Sequence, residues 1–164
     1  MYKKPIIVFE GIEGSGKSTQ INLLLEWLTA KGFSTKLLRE PGSTDFGEKI
    51  RNLLLSKESN ISAHTELLLM FAARSEMISE HLINSTYDFI LCDRYYHASI
   101  AYQGYGHGLD LELIQQLNSI ATGGLKSDLT FWLDLDVEIG LSRVKNRGNF
   151  DRMEQANIEI SFGC

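Results

Sequence analysis

The stretch "PIIVFEGIEGSGKST", residues 5–19, opens on five apolar residues and then gathers three glycines, a lysine and three hydroxyl side chains. An unbroken apolar run suits a strand buried on both faces better than one with a wet face. Residues Gly11 to Ser18 fit the spacing G-x-x-x-x-G-K-[ST], with a predicted strand before them and a helical pattern after. Glycines let backbone N–H groups curl around phosphate oxygens, and the following helix turns its positive end toward the same anion. Gly11, Ile12, Glu13, Gly14, Ser15, Gly16 and Thr19 would then form the cradle. Lys17 would reach the β- and γ-phosphates of ATP, and the Ser18 hydroxyl would ligate Mg²⁺. Glu13 is out of place among them, a carboxylate in a loop that attracts anions.

Outward from that stretch, strand and helix patterns alternate. Further apolar runs lie at 34–40, 88–93 and 129–136, and helical periodicity covers 18–31, 46–55, 63–84, 110–121 and 137–147. Ile21, Leu24, Leu25 and Leu28 share one stripe of the first helix. The order predicts an α/β fold: one three-layer α/β/α domain over residues 1–164, with a central parallel sheet. The stretches 56–62 and 104–109 read as exposed loops.

With a net charge of −5, the chain has no general attraction for nucleic acid or an acidic membrane. A polyanionic ligand would need cations gathered in one place. Arg39 and Arg94 follow predicted strands, where ligands of open α/β sheets sit. Arg74 lies in an otherwise apolar helix, where a charge is expensive unless an anion meets it. The two cysteines suggest no disulfide framework, and Cys92 reads as a buried thiol. The first apolar stretch is too short for a signal-peptide core, no segment has the length of a membrane span, and the chain reads as cytoplasmic. An Asp-x-x-Gly switch with an Asn-Lys-x-Asp base reader is not found, which leaves a small-molecule kinase.

Taken together, "FEGIEGSGKST", "REPGSTDFGEKIR", "ELLLMFAAR", "DRYYHASIAYQG" and "LTFWLDLDVEIGLSRVKNRG" resemble bacterial thymidylate kinase over nearly the whole chain. The resemblance implies transfer of the ATP γ-phosphate to dTMP, a mobile lid and a homodimer, here through helix 63–84. It implies that Arg39 and Arg94 hold the acceptor phosphate and that Arg74 approaches phosphate and base. Asp93 would help place Mg²⁺. Tyr102 would press on the sugar, Gln103 would bond the thymine edge, and Ser99 would line the same pocket. Pro41, after Glu40, would form a constrained turn beside the nucleoside, and Glu13 would accept from the sugar 3′-hydroxyl. A related kinase acting on dUMP or a deoxynucleoside, or a nucleotide-binding remnant without turnover, stays open at this point.

The chain departs from that pattern in three places. Met70 stands where the base-stacking phenylalanine usually lies, with Phe71 next to it. Gly14 stands where some members carry an arginine, so a cation must come from elsewhere. Arg143, Lys145, Arg147 and Arg152 cluster in a basic segment resembling a lid over about 142–153, with Arg147 and Arg152 expected at the transferring phosphate and Arg143 on the adenine side. The tail "SFGC" replaces the family's continuing helix, so a truncated C-terminus lacking the last strand is expected.

Overall fold

A computed structural model describes residues 4–56, 58 and 60–145. Four parallel strands, β1 (Ile6–Glu10), β2 (Thr35–Arg39), β3 (Phe89–Asp93) and β4 (Leu129–Trp132), form one sheet in the order β2-β3-β1-β4. Helices α1 (Lys17–Ala30), α2 (Asp45–Leu55), α3 (Ala63–Met77), α4 (Tyr96–Ser99), α5 (Leu111–Thr122) and α6 (Val137–Lys145) connect or flank them.

Alternate residues of the central strands enter two different cores. Ile6, Val8, Ile90 and Cys92 pack with Met77, Ile78 and Leu82 from the end of α3 and the segment after it. Phe9 and Leu91, with Ile7 and Phe89, pack instead on Ile21, Leu24, Leu25 and Leu28 of α1. The stripe read from the sequence is therefore the face of α1 that meets the sheet. Burial on both faces explains why these strands read as continuous apolar runs. Caps delimit several helices: the Thr44, Ser62 and Asp110 side chains accept from backbone N–H groups of α2, α3 and α5, and Gly123 ends α5 in the left-handed region.

Three sequence expectations need correction. The last strand stops at Trp132 rather than 136, because its partner β1 ends at Glu10; the Leu133 N–H still reaches the Glu10 carbonyl, and the chain then leaves the sheet. The long helix expected over 63–84 is α-helical only to Met77 and continues as a π-helical segment, Ile78–Leu82. The expected loop at 104–109 begins inside another π-helical segment, Ile100–Gly106, which continues α4. Tyrosines and glycines gave that stretch no helical signature; tertiary bonds hold it. Ser99 accepts from Arg74, and Gln103 donates to Glu66.

Leu91, fully buried in the middle of β3, touches the α1-side core along its length. Leu91→Ala should lower the unfolding free energy by about 2–5 kcal/mol in urea titrations. A loss below about 1 kcal/mol would mean that this core is not packed as described.

Candidate active site

The carboxyl ends of β1, β2 and β3 open into one crevice of about 520 Å³. The loop after β1 contributes Glu13, Gly14 and Gly16, and the start of α1 adds Lys17, Ser18 and Thr19. Arg39 and Glu40 enter from the end of β2, Asp93 and Arg94 from the end of β3, Arg51 from α2 and Arg143 from α6. Five cations thus meet in a chain whose net charge is negative.

These cations are held by internal acceptors. Lys17 Nζ donates to the Gly11 and Ile12 carbonyls at 2.9 and 3.0 Å. Burial lowers the pKa of this ammonium, and Arg94 nearby pushes the same way. Arg39 pairs with Glu48 at 2.9 Å. Arg51 donates to the Pro41 carbonyl at 2.9 Å, across a loop whose Glu40–Pro41 peptide is cis. Arg143 donates to the Gly14 carbonyl at 3.0 Å. Arg94 donates to the Glu13 carboxylate and lies 5.1 Å from the centre of the Tyr102 ring. Glu13 therefore turns toward β3 and not into its own loop. Burial raises the Asp93 carboxyl, while Lys17 and Arg94 oppose that rise.

Arg74 is not among the residues lining this crevice. It is 0 % exposed, with Nε 2.8 and 2.9 Å from the two Glu40 oxygens, Nη1 3.1 Å from Asn118 Oδ1 and Nη2 3.0 Å from Ser99 Oγ. Its guanidinium also lies over the rings of Phe71 and Tyr95. The anion demanded by a charge in an apolar helix is thus Glu40, which itself borders the crevice. Met70 and Phe71 diverge as successive helix positions must. Met70 packs on Ile50 and Leu54 of α2, and Phe71 on Ile114 of α5. Gln103 is fully buried, its Nε2 2.9 Å from Glu66, while its Oε1 has no partner among the described residues. Arg147 and Arg152 lie outside the described residues. Arg143 lines the crevice and bonds the Gly14 carbonyl of the phosphate loop.

Two contributors carried no assigned role in the sequence reading. Arg51 closes the quoted stretch "REPGSTDFGEKIR", and its place nearly two turns into α2 was the available signal. Glu10, the last residue of β1, is buried with Oε1 2.9 Å from the Tyr95 N–H. Its burial gave no sign in the sequence, because an acid at a strand end is ordinarily solvated.

The missing arginine at position 14 has a steric explanation. Gly14 has φ +78°, and a Cβ there would lie 2.5 Å from the Gly140 carbonyl of α6. In turn, a Cβ on Gly140 would meet Ile12 and the Glu13 carbonyl at 2.6 and 2.7 Å. The phosphate loop and α6 touch backbone to backbone.

Comparison with known proteins agrees with this geometry. The family description "Thymidylate kinase" matches residues 9–161. The thymidylate kinase of Trichodesmium erythraeum is 56% identical over 94% of this chain and 76% of its own length. That of a Nostoc strain is 51% identical over 93% and 74%. A crystal structure of thymidylate kinase from Ehrlichia chaffeensis superposes with a TM-score of 0.76 at 39% identity, covering 88% of this chain and 80% of that one.

Two predictions test the site. Gly14→Arg should displace α6, lower the unfolding free energy by about 1–3 kcal/mol and weaken ATP use, as read by urea titration and nucleotide kinetics; a neutral substitution would mean the loop and α6 do not meet. For Glu10, burial pushes the carboxyl up to about 7, against the Tyr95 N–H and Arg94, with Glu40 adding to the rise. Lys17, Cys92, Tyr102 and His97 are its further charged or titratable neighbours. Folding therefore takes up a proton: this contribution is full below pH 4.5 and is lost as the pH rises through about 7. From pH 4.5 to 8, wild type should lose on the order of 3 kcal/mol relative to Glu10→Gln, and parallel stability curves would contradict it.

In this chain a phosphate loop, an Asp-Arg turn and a guanidinium-lined crevice meet at the strand ends, and the family match over residues 9–161, with relatives up to 56% identical, shows that it belongs to the thymidylate kinase family.

Proposed function

We propose that this phosphotransferase moves the γ-phosphate of ATP to dTMP, giving dTDP and ADP. The observation that supports the reading most is the meeting of Lys17, Arg39, Arg51, Arg94 and Arg143 with Glu13 in one crevice. The acceptor phosphate, with a second pKa near 6, is already mostly dianionic at neutral pH. No general base is needed, and the difficulty is bringing two anions together. Positioning and charge neutralisation are then the whole of catalysis.

In this reading Lys17 exchanges its carbonyl partners for the β- and γ-phosphates. Arg94 and Arg39 take the acceptor phosphate, with Arg51 beside them. Ser18 and Asp93 offer a hydroxyl and a carboxylate on the same crevice wall, an oxygen donor set that fits Mg²⁺. They would hold the ion, which when bound neutralises phosphate charge. Glu13 reads the sugar 3′-hydroxyl, Tyr102 presses on the sugar, and Ser99, Gln103 and Met70 or Phe71 complete the acceptor pocket. Arg74, buried and tied to Glu40, bears on the acceptor site through that carboxylate, which borders the crevice. The segment 142–153 closes as a lid that excludes water, with Arg143, Arg147 and Arg152 on the ATP side.

We further propose that the active species is a cytoplasmic homodimer built on α3. Leu68 of α3 and Leu53 of the neighbouring α2 are large apolar residues left exposed. Among the described residues, no helix is long and apolar enough to cross a membrane.

ADP release from ATP–Mg²⁺ should occur with dTMP and not with thymidine; faster release with thymidine than with dTMP would overturn the monophosphate assignment. Glu13→Gln should raise the KM for dTMP about tenfold while ATP binding changes far less. Equal loss for both nucleotides would remove Glu13 from the sugar.

A further inference from the structure

Arg94 occupies an unusual backbone position. Its φ is +69°, in the left-handed region, and it is one of only two non-glycine residues with positive φ among those described. A side-chain-bearing residue persists there when its surroundings over-determine it. On its N-terminal side, the Arg94 N–H donates to the Phe9 carbonyl at 3.0 Å, continuing the pairing of β1 with β3. On its C-terminal side, the next N–H belongs to Tyr95 and leaves the sheet. It meets a side chain instead: Glu10 Oε1, at 2.9 Å and buried.

That contact is built from both ends. Glu10 is 6 % exposed and sits one residue before the phosphate loop. Tyr95 is buried too, and its hydroxyl donates to the Leu125 carbonyl at 3.1 Å. Tyr95 is therefore pinned by its amide to β1 and by its ring to the segment after α5. The charged or titratable groups around this carboxyl are Lys17, Glu40, Cys92, Arg94 and Tyr102, with His97 Nδ1 at 3.9 Å, and the Ala98 N–H also favours its charged form. Burial without compensation would make a carboxylate a poor choice for a strand end. Here it accepts the one backbone N–H that the turn withdraws from the sheet. Glu10 does not line the crevice, so no direct role toward a nucleotide accounts for it.

We propose that Glu10 is a positioning residue for Arg94: by accepting the Tyr95 N–H, its carboxyl oxygen fixes the left-handed turn that aims Arg94 into the crevice. The inference rests on the reading of Arg94 as an acceptor-phosphate ligand. It assigns to the end of β1 a second task beyond carrying the phosphate loop. One strand end then sets both the loop for the donor nucleotide and the turn for the acceptor.

The test uses the full chain carrying Glu10→Ala or Glu10→Gln. Hydrogen exchange at the Tyr95 amide and the KM values for dTMP and ATP are measured for each. In Glu10→Ala the Tyr95 amide should exchange at least about tenfold faster, and the KM for dTMP should rise about tenfold while that for ATP moves less than about twofold. Glu10→Gln keeps an oxygen that accepts from the same N–H, and should bring both readouts back to within about threefold of wild type. Unchanged exchange in Glu10→Ala, an equal rise in both KM values, or no rescue by Gln would overturn the proposal. Should Glu10→Ala not fold, Glu10→Asp, charged but one methylene short of the amide, carries the same expectations as the alanine. If wild type turns over no dTMP, the acceptor reading falls, while exchange at Tyr95 still decides whether Glu10 holds the turn.

Discussion

The register between β1 and β3 is the constraint on which the rest depends. Phe9 pairs with Asp93 and Val8 with Cys92, so the two strands end within one residue of each other. The phosphate loop leaves one strand where the Asp93–Arg94 turn leaves the other. A slip of one residue would exchange the side chains of β3 between the two cores and would carry Arg94 away from Glu13. Burial on both faces makes such a slip costly, since Ile90 and Cys92 fit the α3 side while Phe89 and Leu91 fit the α1 side. Packing of apolar residues thus decides where the charges meet.

Given that meeting, the charges are held by one another. Arg94 rests on Glu13, Arg39 on Glu48, Arg74 on Glu40, and Lys17 on two carbonyls of its own loop. Repulsion among the guanidinium groups is offset before any ligand arrives. A nucleotide entering the crevice would exchange one acceptor for another at each cation instead of meeting bare charge. Such exchange limits the net gain per contact but preserves specificity, because only an anion of the right shape replaces several acceptors together.

Much of this was legible in the sequence, for definite reasons. The strands were visible because burial on both faces leaves an apolar run, and the phosphate loop because its glycines and lysine are dictated by local geometry. Arg39 and Arg94 could be assigned to the crevice because strand ends define it. The segment 96–106 was not legible as helix, since Arg74 and Glu66, both distant in sequence, hold Ser99 and Gln103 within it, and Glu10 holds the Tyr95 amide just before it. The partner of Arg74 was foreseen as an anion but not as Glu40, because pairing across the fold leaves no spacing signal. Arg51 sat inside a quoted motif, yet helix periodicity alone does not tell which polar face looks onto a ligand and which onto solvent.

The contact between Gly14 and Gly140 also bears on how this chain can change over time. Neither position tolerates even a methyl group while the other keeps its present backbone path. A mutation at one therefore carries a penalty whose size is set by the state of the other, which is epistasis written in van der Waals radii. Lineages that acquire a side chain in the loop must first, or simultaneously, let the distant helix retreat, and the order of those steps is not free.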